Sequence, residues 1–98
     1  MNGAADAAIG TVKRTLAIAN KRGLHARAAA KFVRTAGQFD AAVRVAFKGQ
    51  EVSGLSIMGL MMLAAGVGST IELTCSGRQA AEAMAALSTL VESKFGED

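Results

Sequence analysis

Hydrophobic and polar residues alternate in four segments of the chain, and this period of two predicts four β-strands. Residues 11–19 alternate imperfectly, whereas residues 43–48 and 70–76 place their apolar side chains regularly on one side. After a turn at residues 48–50, the short segment 51–53 can return as an antiparallel partner. Each strand then has one apolar and one polar face, which is typical of a sheet covered on a single side.

Apolar residues at helical spacing predict three helices between and after these strands. The first covers residues 26–36 and ends at Gly37, and the second follows Ser56, which lies where an N-cap belongs, and stops at residues 66–68. The third follows residues 76–79, whose spacing fits a capping box. The order β-α-β-β-α-β-α predicts an α+β fold, an open-faced two-layer sandwich in which three helices cover one face of a four-stranded antiparallel sheet.

A length of 98 residues fits one domain and excludes enzymes with separate cofactor and substrate domains. Residues 10–98 are expected to form that domain, preceded by a flexible extension of the Ala-rich residues 1–9, which lack periodicity. The opening lacks the basic and apolar regions of a signal peptide, and no stretch reaches the roughly 18 apolar residues of a membrane span. We therefore expect a cytoplasmic protein that does not contact a membrane.

Positive charge is concentrated in the first half of the chain. Nine of the eleven lysines and arginines lie in the first fifty residues, where only Asp6 and Asp40 oppose them. This distribution indicates an anionic partner, which can be a nucleic acid, a phosphate group or an acidic protein face. Arg27, Lys31 and Arg34 form a basic row along the first predicted helix, although such a row is most often a solvated face.

Residue counts and spacing exclude several kinds of site. His25 is the only histidine, and the only cysteine, Cys75, lies far from it in sequence on the inner face of a predicted strand, so we expect no metal site. The chain contains neither the Gly-Lys-Ser/Thr phosphate loop nor the glycine pattern of dinucleotide-binding folds. No spacing indicates a Ser-His-Asp or Cys-His catalytic site.

The segment Gly23-Leu24-His25-Ala26-Arg27 is the strongest candidate for chemistry. Gly23 lets the chain turn, and His25 lies at the start of the first helix, where backbone N–H groups are unpaired. These N–H groups and the helix dipole favour the binding of an anion, and the dipole contributes about 0.3 to 1 kcal/mol. The same positive field, together with Arg27, favours a neutral, nucleophilic imidazole at His25. Attack on a phosphoryl group would give a transferable phosphoramidate. The alternative is an ordinary surface histidine near a helix start.

The segment from Ser56 to Leu63 has apolar residues around its whole circumference. One short helix cannot bury all of them against a sheet, so some are expected to be exposed as a Met-rich docking surface. The alternative is that loops or the N-terminal extension cover them. The Ser56 hydroxyl is most simply a helix cap, and it is also a group that a kinase can modify.

Two segments resemble the same known family. Residues 23–33, GLHARAAAKFV, resemble the active-site segment of HPr, the histidine-containing phosphocarrier of the bacterial phosphoenolpyruvate-dependent phosphotransferase system. Residues 53–61, SGLSIMGLM, resemble the regulatory-serine segment of that family. The two motifs have the family's separation, and the resemblance runs from about Thr11 to the C-terminal helix.

The resemblance implies a stoichiometric carrier that has no turnover of its own and needs no cofactor or metal. His25 would accept a phosphoryl group on Nδ1 from phosphorylated enzyme I and deliver it to an enzyme II A domain, with Arg27 contacting the phosphate. Ser56 would be the target of HPr kinase/phosphorylase. A monomer is expected, and the implied docking surface comprises Ala30, Lys31, Arg34, Ile57, Met58 and Met61.

One position departs from the family pattern. The family usually has proline directly after the arginine, where this chain has Ala28. Proline presets φ in the first helical turn, whereas alanine restores an N–H donor and loosens the start of the helix. We expect a slower or less constrained carrier.

Two other functions are compatible with parts of the pattern. The first is a chiefly regulatory phosphoprotein of the nitrogen-related phosphotransferase branch, which is not coupled to sugar transport. The second is a small basic module that binds RNA. The second is disfavoured because none of the four phenylalanines falls in an alternating stacking motif on an exposed strand; they are Phe32, Phe39, Phe47 and Phe95.

Overall fold

A computed structural model describes residues 10–97 and has the predicted order of strands and helices. The N-terminal extension predicted for residues 1–9 lies outside the described residues. A short 3-10 turn, Lys94–Gly96, follows the last helix. The elements are β1 (Thr11–Ala17), α1 (Ala26–Ala36), β2 (Ala42–Phe47), β3 (Gln50–Ser53), α2 (Ile57–Met62), β4 (Thr70–Ser76) and α3 (Ala80–Glu92).

The four strands form one antiparallel sheet in the order β1-β4-β2-β3. The alternation of the sequence places one set of side chains against the helices, as shown by the register of Leu16 with Ile71 and of Val43 with Cys75, all four of which are buried. The predicted α+β sandwich is confirmed.

The helices cover that single face of the sheet. The buried residues of α1 and α3 follow the predicted helical spacing, and Phe32 of α1 and Leu87 of α3 are fully buried. The stripe predicted for α2 is wrong, because its members Ile57 and Met61 are exposed. α2 buries only Leu60, because it has only six residues. α1 packs against both other helices, so the two sequence motifs lie on neighbouring elements. No helix among residues 10–97 is long and apolar enough to cross a membrane.

Three predicted boundaries are wrong. The capping box at residues 76–79 does not form, because Ser76 is paired on both sides within the sheet and the side chain of Gln79 accepts the amide of Asp40 at 2.7 Å instead of capping α3. β1 ends at Ala17 rather than residue 19. α2 ends at Met62, and two residues later the chain adopts a left-handed conformation.

Candidate functional site

The loop between β1 and α1 is packed directly against the loop that follows α2. Gly23 has a φ of +64°, and a Cβ at this position would lie 2.5 Å from the carbonyl oxygen of Ala65. The amide of Leu24 donates to that same oxygen at 3.0 Å, and the Leu24 side chain is buried. Only glycine fits this approach, and the contact fixes where α1 begins.

His25 is the N-cap residue of α1, in an extended conformation with φ −74° and ψ 177°. Its side chain makes no capping hydrogen bond, and the first intrahelical bond is donated by Ala29 to the His25 carbonyl at 2.9 Å. The amides of Ala26, Arg27 and Ala28 therefore have no carbonyl partner within the helix. This N-terminus is open to an anion, as the sequence predicts.

The His25 ring contacts a carboxylate that the sequence does not predict. Its Nε2 is hydrogen-bonded to Oε2 of Glu97, and the two side chains are only 14% and 17% exposed. No hydrogen bond to Nδ1 is found among residues 10–97. Partial removal from water raises the pKa of Glu97. The hydrogen bonds from Asn20 and His25, together with the charges of His25 and Lys31, outweigh this effect, so the pKa lies below its ordinary value.

Asn20 is a second residue that the sequence does not indicate as part of the site. It is fully buried at the end of the loop, and its Nδ2 donates to the carbonyl of Gly23 at 2.8 Å and to Oε1 of Glu97 at 3.1 Å. The sequence indicates only a chain break at this position. The burial of the Asn20 amide is what points to a role in the site, because a buried amide needs hydrogen-bond partners. That burial is visible only once the fold is known.

A basic depression of about 400 Å³ lies beside this group, lined by Lys21, Arg22, Arg27, Lys31, Gly96 and Glu97. Arg27 is exposed at its rim. Lys31 is half-buried, and its Nζ donates to the carbonyl oxygen of Phe95 at 2.7 Å. The members of the predicted basic row therefore have different surroundings: Arg34 is exposed, whereas Lys31 binds the C-terminal segment. Ala30, the residue before Lys31, is half-buried.

The second motif is built as predicted. Ser56 is half-buried, and its Oγ accepts the amide of Gly59 at 2.9 Å as the N-cap of α2. Six large apolar side chains on α2 and in the segments flanking it are exposed, and we call this set the apolar patch. Three of them, Ile57, Met58 and Met61, are docking residues implied by the family resemblance. The patch consists of Leu55, Ile57, Met58, Met61, Met62 and Val67, with relative exposures from 39% to 73%.

The geometry favours one kind of chemistry. A lone imidazole has one nitrogen paired with a carboxylate, the other available, three open amides nearby and cations beside it. Among residues 10–97 no three His, Cys, Asp or Glu side chains converge as they would around a metal ion. An arrangement of this kind suits an anionic group carried by the ring nitrogen Nδ1.

Comparison with known proteins decides the family. The family model described as "PTS HPr component phosphorylation site" matches residues 12–93. The chain belongs to the HPr family. The HPr phosphocarrier of Neisseria meningitidis serogroup A is 52% identical over 86 residues, which cover 88% of this chain and 97% of the relative.

A solved structure and a second curated relative extend this similarity. The crystal structure of HPr-C-His from Thermoanaerobacter tengcongensis has a TM-score of 0.85 and 44% identity, and covers 89% of this chain and 98% of its own. The phosphocarrier protein NPr of Shewanella violacea is 42% identical over 86 residues, 88% of this chain and 94% of the relative.

Membership of the HPr family makes the chain a phosphocarrier of the phosphotransferase system (PTS) rather than an enzyme, as the resemblance implies. Enzyme I and enzyme II A domains are the partners that this membership implies. The RNA-binding alternative finds no support in the structure, because Phe32 and Phe95 are fully buried and the other two phenylalanines are half-buried.

Proposed function

We propose that His25 Nδ1 accepts a phosphoryl group from phosphorylated enzyme I and passes it to an enzyme II A domain. The observation that carries this proposal is the open N-terminus of α1, where three unpaired amides begin one residue after His25. Arg27, which is exposed at the rim of the basic depression, contacts the phosphoryl oxygens.

The transfer of the phosphoryl group needs no cofactor, because each bond that forms is matched by one that breaks. The lone pair of Nδ1 forms the new bond to phosphorus, and the bond between phosphorus and the donor breaks, its electron pair remaining with the donor. The unpaired amides and Arg27 bind the phosphoryl oxygens before, during and after the exchange. Delivery to the acceptor repeats the same step with Nδ1 as the leaving atom.

Labelled phosphoenolpyruvate and enzyme I test this proposal. We expect wild type to take up one acid-labile, base-stable label and His25→Gln to take up none, because His25 is the only histidine in the sequence. The His25→Gln protein must give the far-UV circular dichroism of wild type, so that its failure is chemical. Label retained by His25→Gln would contradict the proposal, as would an unlabelled wild type.

We propose that the apolar patch and the cations of α1 together form the docking surface for both partners. Four members of the patch lie on α2, which packs against α1, and Met58 and Met62 are its most exposed members. Flexible thioether side chains suit a surface that binds several partners. Met58→Glu should weaken enzyme I binding about tenfold, because it places a charge in the contact. Thr15→Glu, on the outer face of the sheet, should leave enzyme I binding unchanged. Equal losses of affinity in the two variants would contradict the proposed docking surface.

We propose Ser56 as a regulatory phosphorylation site for an HPr kinase/phosphorylase. Its hydroxyl is half-buried at the start of α2 within the apolar patch, where added negative charge is tolerated by the helix and disturbs apolar docking. Incubation with ATP and the kinase should label wild type and leave Ser56→Ala unlabelled. Equal labelling of both proteins would contradict the proposal and leave Ser56 with the role of a helix cap alone.

We propose the sugar-transport branch over the regulatory branch, because the similarity to the N. meningitidis HPr exceeds that to the S. violacea NPr. The test is competition between the enzyme I proteins of the two branches: faster phosphorylation by the sugar-branch enzyme supports the assignment, and the reverse overturns it.

We also propose a cytoplasmic monomer, supported by the polar outer face of the sheet, where Lys13, Arg44 and Glu72 are exposed. Light scattering and cell fractionation test these two points.

A further inference from the structure

The C-terminal segment turns back toward His25 along a path that the backbone itself disfavours. Lys94, Phe95 and Gly96 have φ values of +61°, +56° and +73°, which is the left-handed region that residues with a Cβ avoid. Phe95 is nevertheless fully buried, and its carbonyl accepts the Lys31 Nζ at 2.7 Å. Core packing and this hydrogen bond therefore hold the turn, and the turn delivers Glu97 to the ring.

Asn20 fixes the carboxylate from the other side. Its Nδ2 donates both to Glu97 and to the carbonyl of Gly23, and the side chain is completely buried. Because both neighbours are acceptors, only one orientation of the amide satisfies them. These two hydrogen bonds hold the Asn20 amide in one place, and the amide in turn holds the Glu97 carboxylate.

We propose that Glu97, held by Asn20, is a positioning residue that keeps the His25 proton on Nε2 and leaves the Nδ1 lone pair ready for the phosphoryl group. This inference rests on the proposed role of His25. Because Glu97 is ionised, its carboxylate accepts hydrogen bonds and donates none, so the ring nitrogen that contacts it carries the proton. The other nitrogen then has no proton to lose before it attacks.

The same contact acts during transfer. When Nδ1 bonds to phosphorus and the donor bond breaks, the imidazole becomes positively charged and its proton stays on Nε2. The hydrogen bond to Glu97 then joins two opposite charges and strengthens, which stabilises the transition state more than the ground state. The positive charge of Lys31, which lines the same depression as Glu97, also lowers the pKa of the carboxyl group and favours its ionised form.

Nitrogen-15 NMR of the unphosphorylated protein tests the proposal. In wild type we expect the Nε2 shift of a protonated nitrogen, the Nδ1 shift of an unprotonated one, and an Nε2 proton protected from exchange. In Glu97→Gln the two nitrogen shifts should move toward each other and the protection should be lost, because the amide can also donate. Glu92→Gln, the same change at an exposed glutamate of α3, should leave all three unchanged.

Phosphoryl uptake from enzyme I supplies the second readout. Glu97→Gln should lower its rate about fivefold, since a charge-assisted hydrogen bond is replaced by a neutral one. Asn20→Ala should lower it in the same direction by a smaller factor. If wild type takes up the group and Glu97→Gln matches it in rate and nitrogen shifts, the role of Glu97 is overturned. A faster Glu97→Gln protein overturns it as well, since Glu97 would then obstruct the site.

An unlabelled wild type would be a separate result. In that case the role of His25 fails, and the nitrogen shifts alone decide whether Glu97 orients the ring. The two failures are therefore distinguishable.

Discussion

The N-termini of α1 and α2 carry the two sequence motifs, and they are built in opposite ways. Ser56 closes α2, because its hydroxyl accepts the amide of Gly59. His25 leaves α1 open: its side chain caps no amide, and Nε2 bonds to Glu97 instead. A helix of six residues needs its cap, whereas the eleven residues of α1 are held by tertiary packing and can leave amides free.

Because the two helix N-termini differ in this way, they would bind a phosphate group differently. At α1 the amides are available to a group that comes and goes on a neighbouring ring. At α2 phosphorylation of Ser56 would form an ester bond to the same Oγ that accepts the Gly59 amide and caps the helix. The comparison therefore favours α1 for rapid exchange and α2 for a slower modification made by a dedicated enzyme.

The largest effect is expected at the glycine that positions the open terminus. Gly23→Ala should lower the free energy of unfolding by about 3 kcal/mol, because backbone strain adds to a clash with the carbonyl of Ala65. Gly68→Ala has the same strain, with φ +87°, but no atom within 4 Å of the new Cβ, and should cost only about 1 kcal/mol. Urea unfolding measures both, and equal losses would show that the contact between the loops is unimportant.

A smaller effect is expected at the closed terminus. Ser56→Ala should lower the free energy of unfolding by about 1 kcal/mol, because Gly59 loses its acceptor. The rate of His25 phosphorylation should stay the same. The control is Ser93→Ala, which removes an exposed hydroxyl that donates to the carbonyl of Leu90, and it should change stability by less than about 0.5 kcal/mol. A slower phosphorylation of Ser56→Ala would show that the two termini are coupled.

Ala28→Pro sharpens the comparison at α1. Ala28 lies in the first turn, where its amide has no helical partner, so proline should raise the free energy of unfolding by about 0.5 kcal/mol. We expect faster phosphorylation as well, because the start of the helix becomes stiffer. Thermal unfolding and stopped-flow uptake from enzyme I measure the two effects. A slower protein would show that losing the Ala28 amide as a donor to the phosphoryl group outweighs the stiffer start of the helix.

The smallest effect concerns pH. The pKa of Glu97 is lower in the folded protein than its ordinary value of 4.5, so its ionised form favours the folded state. This contribution is complete above the ordinary pKa and disappears as pH falls through the lowered one. The stability of wild type should therefore decline more steeply than that of Glu97→Gln below about pH 4.5. Parallel declines in urea unfolding would contradict the contact with His25.

The fold and one half of the site follow from local patterns in the sequence. Alternation and helical spacing predict the layers, and Ser56 and His25 are recognised because cap positions depend on nearby residues. The capping box at Ser76 fails because pairing on both sides of β4 outweighs a local cap.

The other half of the site depends on tertiary structure. Glu97 reaches His25 across 72 residues through a left-handed turn that contains no glycine until Gly96, and no propensity predicts such a turn. Asn20 and Lys31 look like a chain break and a solvated cation in the sequence, and only the returning segment makes them part of the site.

The most direct test of the open terminus is NMR of the phosphorylated protein. We expect a phosphorus coupling to Nδ1 of His25, with the amide shifts of Ala26, Arg27 and Ala28 moving most and that of Gly59 staying in place. A phosphoryl group on Nε2, or amide shifts unchanged at the start of α1, would contradict the proposed role of the open helix N-terminus.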